Sequence, residues 1–193
     1  MFIFRIMVWS KMSYVSVGAS LLCLFFIFES SAQTRKFSYE FLNFGVGARP
    51  LAMSGAGVAS VSDVTAGYWN PAGLTDIEAD LDIAAMHAEY FAGIAQYDYG
   101  AIAKTIDSTS VIALSVIRFG VDDIPNTTQL INADGTLNYD NITTFSAEDY
   151  GFLLSYAKEL KVPGLTLGAN VKVVHRIIGD IACSWGLGLD AGL

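Results

Sequence analysis

The chain has 193 residues, 53% of them hydrophobic, a net charge of −8, a pI of about 4.5 and a mean hydropathy of +0.45. An acidic chain without a basic patch does not neutralise a phosphate backbone, which excludes nucleic-acid binding. One segment alone is long and apolar enough to cross a membrane as a helix, and a helical membrane protein needs several runs of about 20 apolar residues.

That segment comes first. Arg5 and Lys11 precede an apolar run over 14–28, and Ser30, Ser31 and Ala32 place small residues before a cleavage point. Residues 1–32 read as a secretory signal peptide cut after Ala32, with Gln33 as the new N-terminus. A transmembrane anchor is the competing reading, and Met12 is an alternative start. Cys23 follows Leu22, which is not the small residue that lipoprotein processing requires. With Cys23 in the leader, Cys183 is the one thiol of the mature chain, and no internal disulfide framework is expected.

Residues 33–40 are polar, and 41–76 are rich in Gly, Ala and Ser with too little alternation for strands. Asp63 is placed to cap a short helical turn, and Pro71 and Gly73 punctuate its end. Segment 33–76 is therefore expected to be a small plug of short helices and turns. Gly45, Gly47, Gly55 and Gly57 do not form a nucleotide loop: no strand precedes them and no Lys-Ser/Thr or acidic ribose partner follows. They predict close packing of plug backbone against a barrel wall. Arg49, a lone cation among apolar residues, is expected to pair with a lumenal carboxylate, Asp98 or Asp190. A role in binding a ligand carboxylate is the alternative. Pro71 pushes Asn70 toward an extended conformation, where it can hydrogen-bond locally.

From residue 77 onward the period changes to two, giving about six strands over 77–193. Residues 80–91 form the first, with mixed faces. Tyr97, Tyr99, Ala101 and Ala103 alternate with Gln96, Asp98, Gly100 and Lys104, interrupted by Ile102. Residues 111–118 are apolar on both faces. Tyr150, Phe152, Leu154 and Tyr156 alternate with Gly151, Leu153, Ser155 and Ala157, aromatic residues flanking the apolar middle as an interfacial girdle requires. The cleanest pattern sets Leu165, Leu167, Ala169, Val171 and Val173 against Thr166, Gly168, Asn170 and Lys172. Cys183, Trp185, Leu187, Leu189 and Ala191 mark the sixth strand.

Connection lengths agree with an outer-membrane barrel, in which periplasmic turns are short and external loops long. The turns at 105–110 and 159–164 are short and fall on one side; the long polar loop at 121–147 falls on the other. Since the smallest membrane barrels have about eight strands, six leave an open edge in lipid, and the chain reads as a C-terminally truncated piece of a longer barrel.

Two blocks carry a family resemblance: Phe41-Leu42-Asn43-Phe44-Gly45-Val46-Gly47-Ala48-Arg49-Pro50-Leu51-Ala52-Met53-Ser54-Gly55-Ala56-Gly57 and Tyr68-Trp69-Asn70-Pro71-Ala72-Gly73-Leu74. Together they resemble the opening of the PorV/PorQ family of outer-membrane proteins, and Asn-Pro-Ala-Gly-Leu recurs in the wider FadL superfamily. The first block is the specific one; Pro50 and Ser54 depart from the Ala and Gly that the family often has there. The resemblance implies an all-β, transmembrane antiparallel β-barrel of the FadL type, about fourteen strands when complete, exported to the outer membrane of a Gram-negative bacterium of the Bacteroidota. It also implies service in type IX secretion or surface attachment, with secretion-system proteins and cargo C-terminal signal domains as partners besides lipid.

No cofactor, metal or catalytic site is read from the chain, and the expectation is a non-enzymatic protein. His87 and His175 lack metal-ligand spacing, and no nucleophile-elbow pattern is present. Residues 132–136 read as a turn. Asp122, Asp123, Ile124, Pro125 and Tyr139 are the candidate partner contacts in the long loop. The alternative function is transport of a hydrophobic small molecule, with Tyr68-Trp69-Asn70-Pro71 near its path.

Overall fold

The structure, a computed structural model, describes residues 39–132 and 134–193. The expected signal peptide lies outside them. The described chain is an all-β antiparallel meander preceded by short helices and turns, and none of its helices is long and apolar enough to cross a membrane. Six strands, β1 (Leu81–Tyr90), β2 (Ala95–Asp107), β3 (Ser110–Asn126), β4 (Thr143–Glu159), β5 (Thr166–Ile178) and β6 (Ala182–Gly192), pair in sequence order. Before them come a 3-10 turn (Glu40–Asn43), α1 (Ala48–Ala52), α2 (Ala66–Trp69) and a second 3-10 turn (Pro71–Asp76).

The register fixes two faces. Residues directly opposite across each pair share a face, so one row runs Ala84, Ala101, Ser115, Leu153, Lys172, Gly188 and its neighbour Ile83, Ile102, Leu114, Leu154, Val171, Leu189. The first row belongs to the face covered by the N-terminal segment. There Tyr97, Tyr99, Ile117, Leu153 and Val174 form one apolar core with Phe41, Val46, Val64 and Leu74. The second row belongs to a bare face, on which Ile83, Ile102, Leu114, Leu154, Val171 and Leu189 are all exposed. The segment 111–118 is apolar on both faces because each face meets apolar surroundings of its own: Val111, Ala113 and Ile117 enter the core while Ile112, Leu114 and Val116 stay bare.

The one long connection lies at one end of the sheet and the two turns expected at the other end are short, with shifted limits. The first turn is only residues 108–109, where Asp107 Oδ1 accepts from the Thr109 N–H and hydroxyl at 2.8 Å each. The second covers 160–165. The long connection contracts to 127–142, because β3 continues to Asn126 and β4 begins at Thr143. Asp122, Asp123, Ile124 and Pro125 therefore lie in a strand and not in the loop. The register shifts between Val121 and Ile124, with Asp123 at φ 55, and pairing resumes at Ile124 with Phe145. Pairing of β3 to β2 ends at Val121, so Pro125 sits where the ladder is one-sided and its missing N–H costs nothing. The polar Asp-Asp pair at a bulge mimics a loop in composition.

Candidate functional site

The two resemblance blocks, separated by ten residues of sequence, fold into each other. The Trp69 indole N–H donates to the Val46 carbonyl at 2.9 Å. The Tyr68 hydroxyl donates to the Leu42 carbonyl and accepts from the Gly45 N–H at 3.0 Å. Burial pushes the Tyr68 phenol above its ordinary range, the Gly45 N–H acting against this. Gly45 and Gly55 have φ of 88 and 83, and a Cβ on Gly57 would lie 2.8 Å from the Trp69 ring. The glycines thus make room for the indole. The expectation that they pack on a sheet wall is corrected, since the Trp69 ring occupies the space beside them. Gly47 caps α1 at φ 84, and Pro50, in the first turn of that helix, lacks only an N–H that would have no helical partner there. Ala48 and Arg49 are exposed, as is Met53. Gly73 is tight for another reason: its Cβ would stand 3.0 Å from the Val61 carbonyl oxygen.

The second block then docks on the sheet. Asp63 Oδ1 accepts from the Thr65 N–H at 2.8 Å and from its hydroxyl at 2.5 Å, starting the turn into α2 as its sequence position suggests. Asn170, 1% exposed, donates to the Gly67 carbonyl at 2.7 Å. Asn70 is extended (φ −156, ψ 104), accepts from the Ala72 N–H at 3.1 Å and donates to the Leu193 carbonyl at 3.1 Å. Pro71 and Ala72 lie directly on Gly168, where a Cβ would come within 2.2 Å of the Ala72 nitrogen. Asn70 lies as tightly on Gly192. Asp82 accepts from the Val64 N–H at 2.8 Å. Asp82, Gly168, Asn170 and Gly192 escaped the sequence reading. Glycine inside a strand pattern is the signal that could have found two of them, since it marks a close backbone approach.

Toward the end of the sheet that carries the 127–142 connection, Phe44 packs on Tyr90, Tyr97 and Phe119 with ring centroids 5.1–5.8 Å apart. Beside them Arg176 makes a bidentate pair with Asp149 at 2.6 and 2.7 Å, and its guanidinium stands 5.3 Å from the Tyr39 ring. Arg49 does not find either expected carboxylate, and it makes no ion pair among the described residues. Asp98 is on the bare face, where it meets His87 at 2.6 Å and Arg118 at 3.3 Å. Asp190 is taken by Lys172 at 2.6 Å. An exposed guanidinium keeps its hydration and needs no buried partner.

A cleft of about 540 Å³ opens beside the second block, lined by Leu42, Val58, Tyr68, Trp69, Lys172 and Asp190 among others. Among the described residues no three His, Cys, Asp or Glu side chains converge as a metal site. Of the candidate partner contacts, Tyr139 alone lies in the long connection, exposed at the start of a 3-10 turn (Tyr139–Asn141). Comparison of the chain with protein-family models, curated proteins and solved structures finds no match.

Proposed function

We propose that this chain belongs to an outer-membrane β-barrel of PorV/PorQ type that serves type IX protein secretion or surface attachment, with residues 33–76 as its plug. The observation that carries the membrane reading is the bare face. Across all six strands it presents rows of exposed apolar side chains, bounded on β4 by Tyr156 at one end and Tyr150 at the other. Six residues at about 3.3 Å each make roughly 20 Å between those rings, close to the height of a lipid-facing apolar band. The Tyr150 row continues through His175 and Trp185, stacked at 3.9 Å, and through the Asp98–Arg118–Glu148 group. Aromatic and charged side chains suit the headgroup level and not the hydrocarbon.

The secretion role draws on the two sequence blocks and on the covered face, which the plug fills with packed side chains. In a closed barrel that packing would occupy much of the lumen, which suits a protein that works by contact at its outer loops. A second reading, passage of a hydrophobic small molecule, is favoured by the cleft beside Tyr68 and Trp69. The deciding experiment deletes the complete gene and follows surface and periplasmic proteins by mass spectrometry. Loss or unprocessed build-up of proteins bearing C-terminal signal domains is the expected result. An unchanged distribution removes the secretion role and leaves uptake as the function to test.

A further inference from the structure

The three connections at one end of the sheet, 91–94, 127–142 and 179–181, expose Phe91, Ile94, Ile131, Leu137, Tyr139 and Ile181. Connections of a meander that lie two strands apart are about 10 Å from one another, and Gly179 of the third already packs on Phe145 at the start of β4. Backbone bonds link the two described sides of the middle connection. Ile131 and Leu137 form an antiparallel bridge, which sets their side chains next to each other on one side. Asn132 N–H donates to the Thr136 carbonyl at 2.9 Å, Asn138 N–H to Leu130 at 2.8 Å, and the Asn141 amide to Gln129 at 3.0 Å. A surface fixed in advance loses little freedom on binding.

Charge says what it binds. Between Arg118 and Lys158 the sequence has the carboxylates Asp122, Asp123, Asp134, Asp140, Glu148 and Asp149 and no lysine or arginine. Arg118 and Arg176 consume Glu148 and Asp149, and the third connection adds Asp180. The strand lysines Lys104 and Lys158, with Lys161, belong to the opposite end. We infer that this end of the sheet is a docking surface for a cationic polypeptide segment, one that carries lysines or arginines beside apolar side chains, with Ile131 and Leu137 as its anchor. Anionic lipid headgroups and acidic protein surfaces are repelled by the same carboxylates. The inference rests on the barrel reading, in which this end faces outward.

The test uses the complete protein in neutral maltoside micelles and three fluorescent twelve-residue peptides: alternating Lys-Leu, Glu-Leu and Lys-Ser. Lys-Leu is expected to bind at least about tenfold more tightly than either other peptide. The pair Ile131→Ser with Leu137→Ser, and separately Asp134→Asn with Asp140→Asn, should each weaken it several-fold. The effect of the Asn pair should vanish in about 1 M salt, where screening acts within roughly 3 Å. Equal binding of Glu-Leu, or Lys-Leu binding unmoved by both pairs, overturns the inference. Gln129→Cys in a Cys183→Ser background, treated on whole cells with a membrane-impermeant maleimide, separates the two ideas. Labelling without peptide binding defeats the docking surface alone; labelling only after lysis defeats the outward-facing barrel and the inference with it.

Discussion

At Ser54 the backbone takes φ 57, and at Gly168 the backbone of Pro71 and Ala72 lies where a Cβ would be. These two positions make opposite demands on a side chain. A non-glycine residue in the left-handed region costs about 1 kcal/mol, and Ser54 is a place where the resembled family often has glycine. Ser54→Gly is therefore expected to raise stability by about 0.5 kcal/mol, glycine's freedom in the unfolded chain offsetting part of the gain; urea unfolding measures it. Gly168→Ala is expected to cost about 1–3 kcal/mol, since the obstructing atom is backbone and cannot rotate away. It should also release residues 70–72 to protease. Gly188→Ala is the control: its nearest neighbour is the Lys172 side chain at 3.6 Å, and little change is expected.

The helices that precede the sheet have four to six residues, too short to persist without tertiary support. Their support is the clamp of Tyr68 and Trp69 on residues 42–46. The neutral phenol is what the clamp needs, because it donates to Leu42. Its folded-state pKa lies above the ordinary value of 10.0, so the stabilisation is complete below about pH 10 and is lost as pH rises through the raised pKa. Limited proteolysis of segment 46–66 should accelerate above pH 10, and Tyr68→Phe should remove that alkaline step while leaving the indole bond of Trp69 in place. On the sheet side, β3 shows how an element can be misread. Its outer third is polar and bulged, with a proline, and so resembles a loop; only the partner residues Thr143–Phe145 of β4 reveal a strand.

At the scale of the whole molecule, the two faces of the sheet have different fates. In lipid, an arginine replacing a mid-band residue of a barrel costs about 2–4 kcal/mol, whereas on a water-exposed face it costs almost nothing. Leu154→Arg, in the middle of the bare face, is expected to lower the unfolding free energy of vesicle-inserted protein by about 2–4 kcal/mol. An unchanged value would mean that this face is not in hydrocarbon.

Alternation, turn residues and block composition determined six antiparallel strands, a non-strand N-terminal segment, the short-long-short order of connections, and the local bonds of Asp63 and Asn70. These depend on neighbours in sequence, so one chain read in order contains them. Only the tertiary structure decided which face is covered, because a period of two is the same for both faces and residues 111–118 are apolar on each. It also decided that the glycines receive Trp69, that Asn170 holds Gly67, and that Asp98 turns away from Arg49. Those contacts join residues up to about a hundred positions apart, and a one-residue change of register would turn Asn170 and Asp98 each to the opposite face.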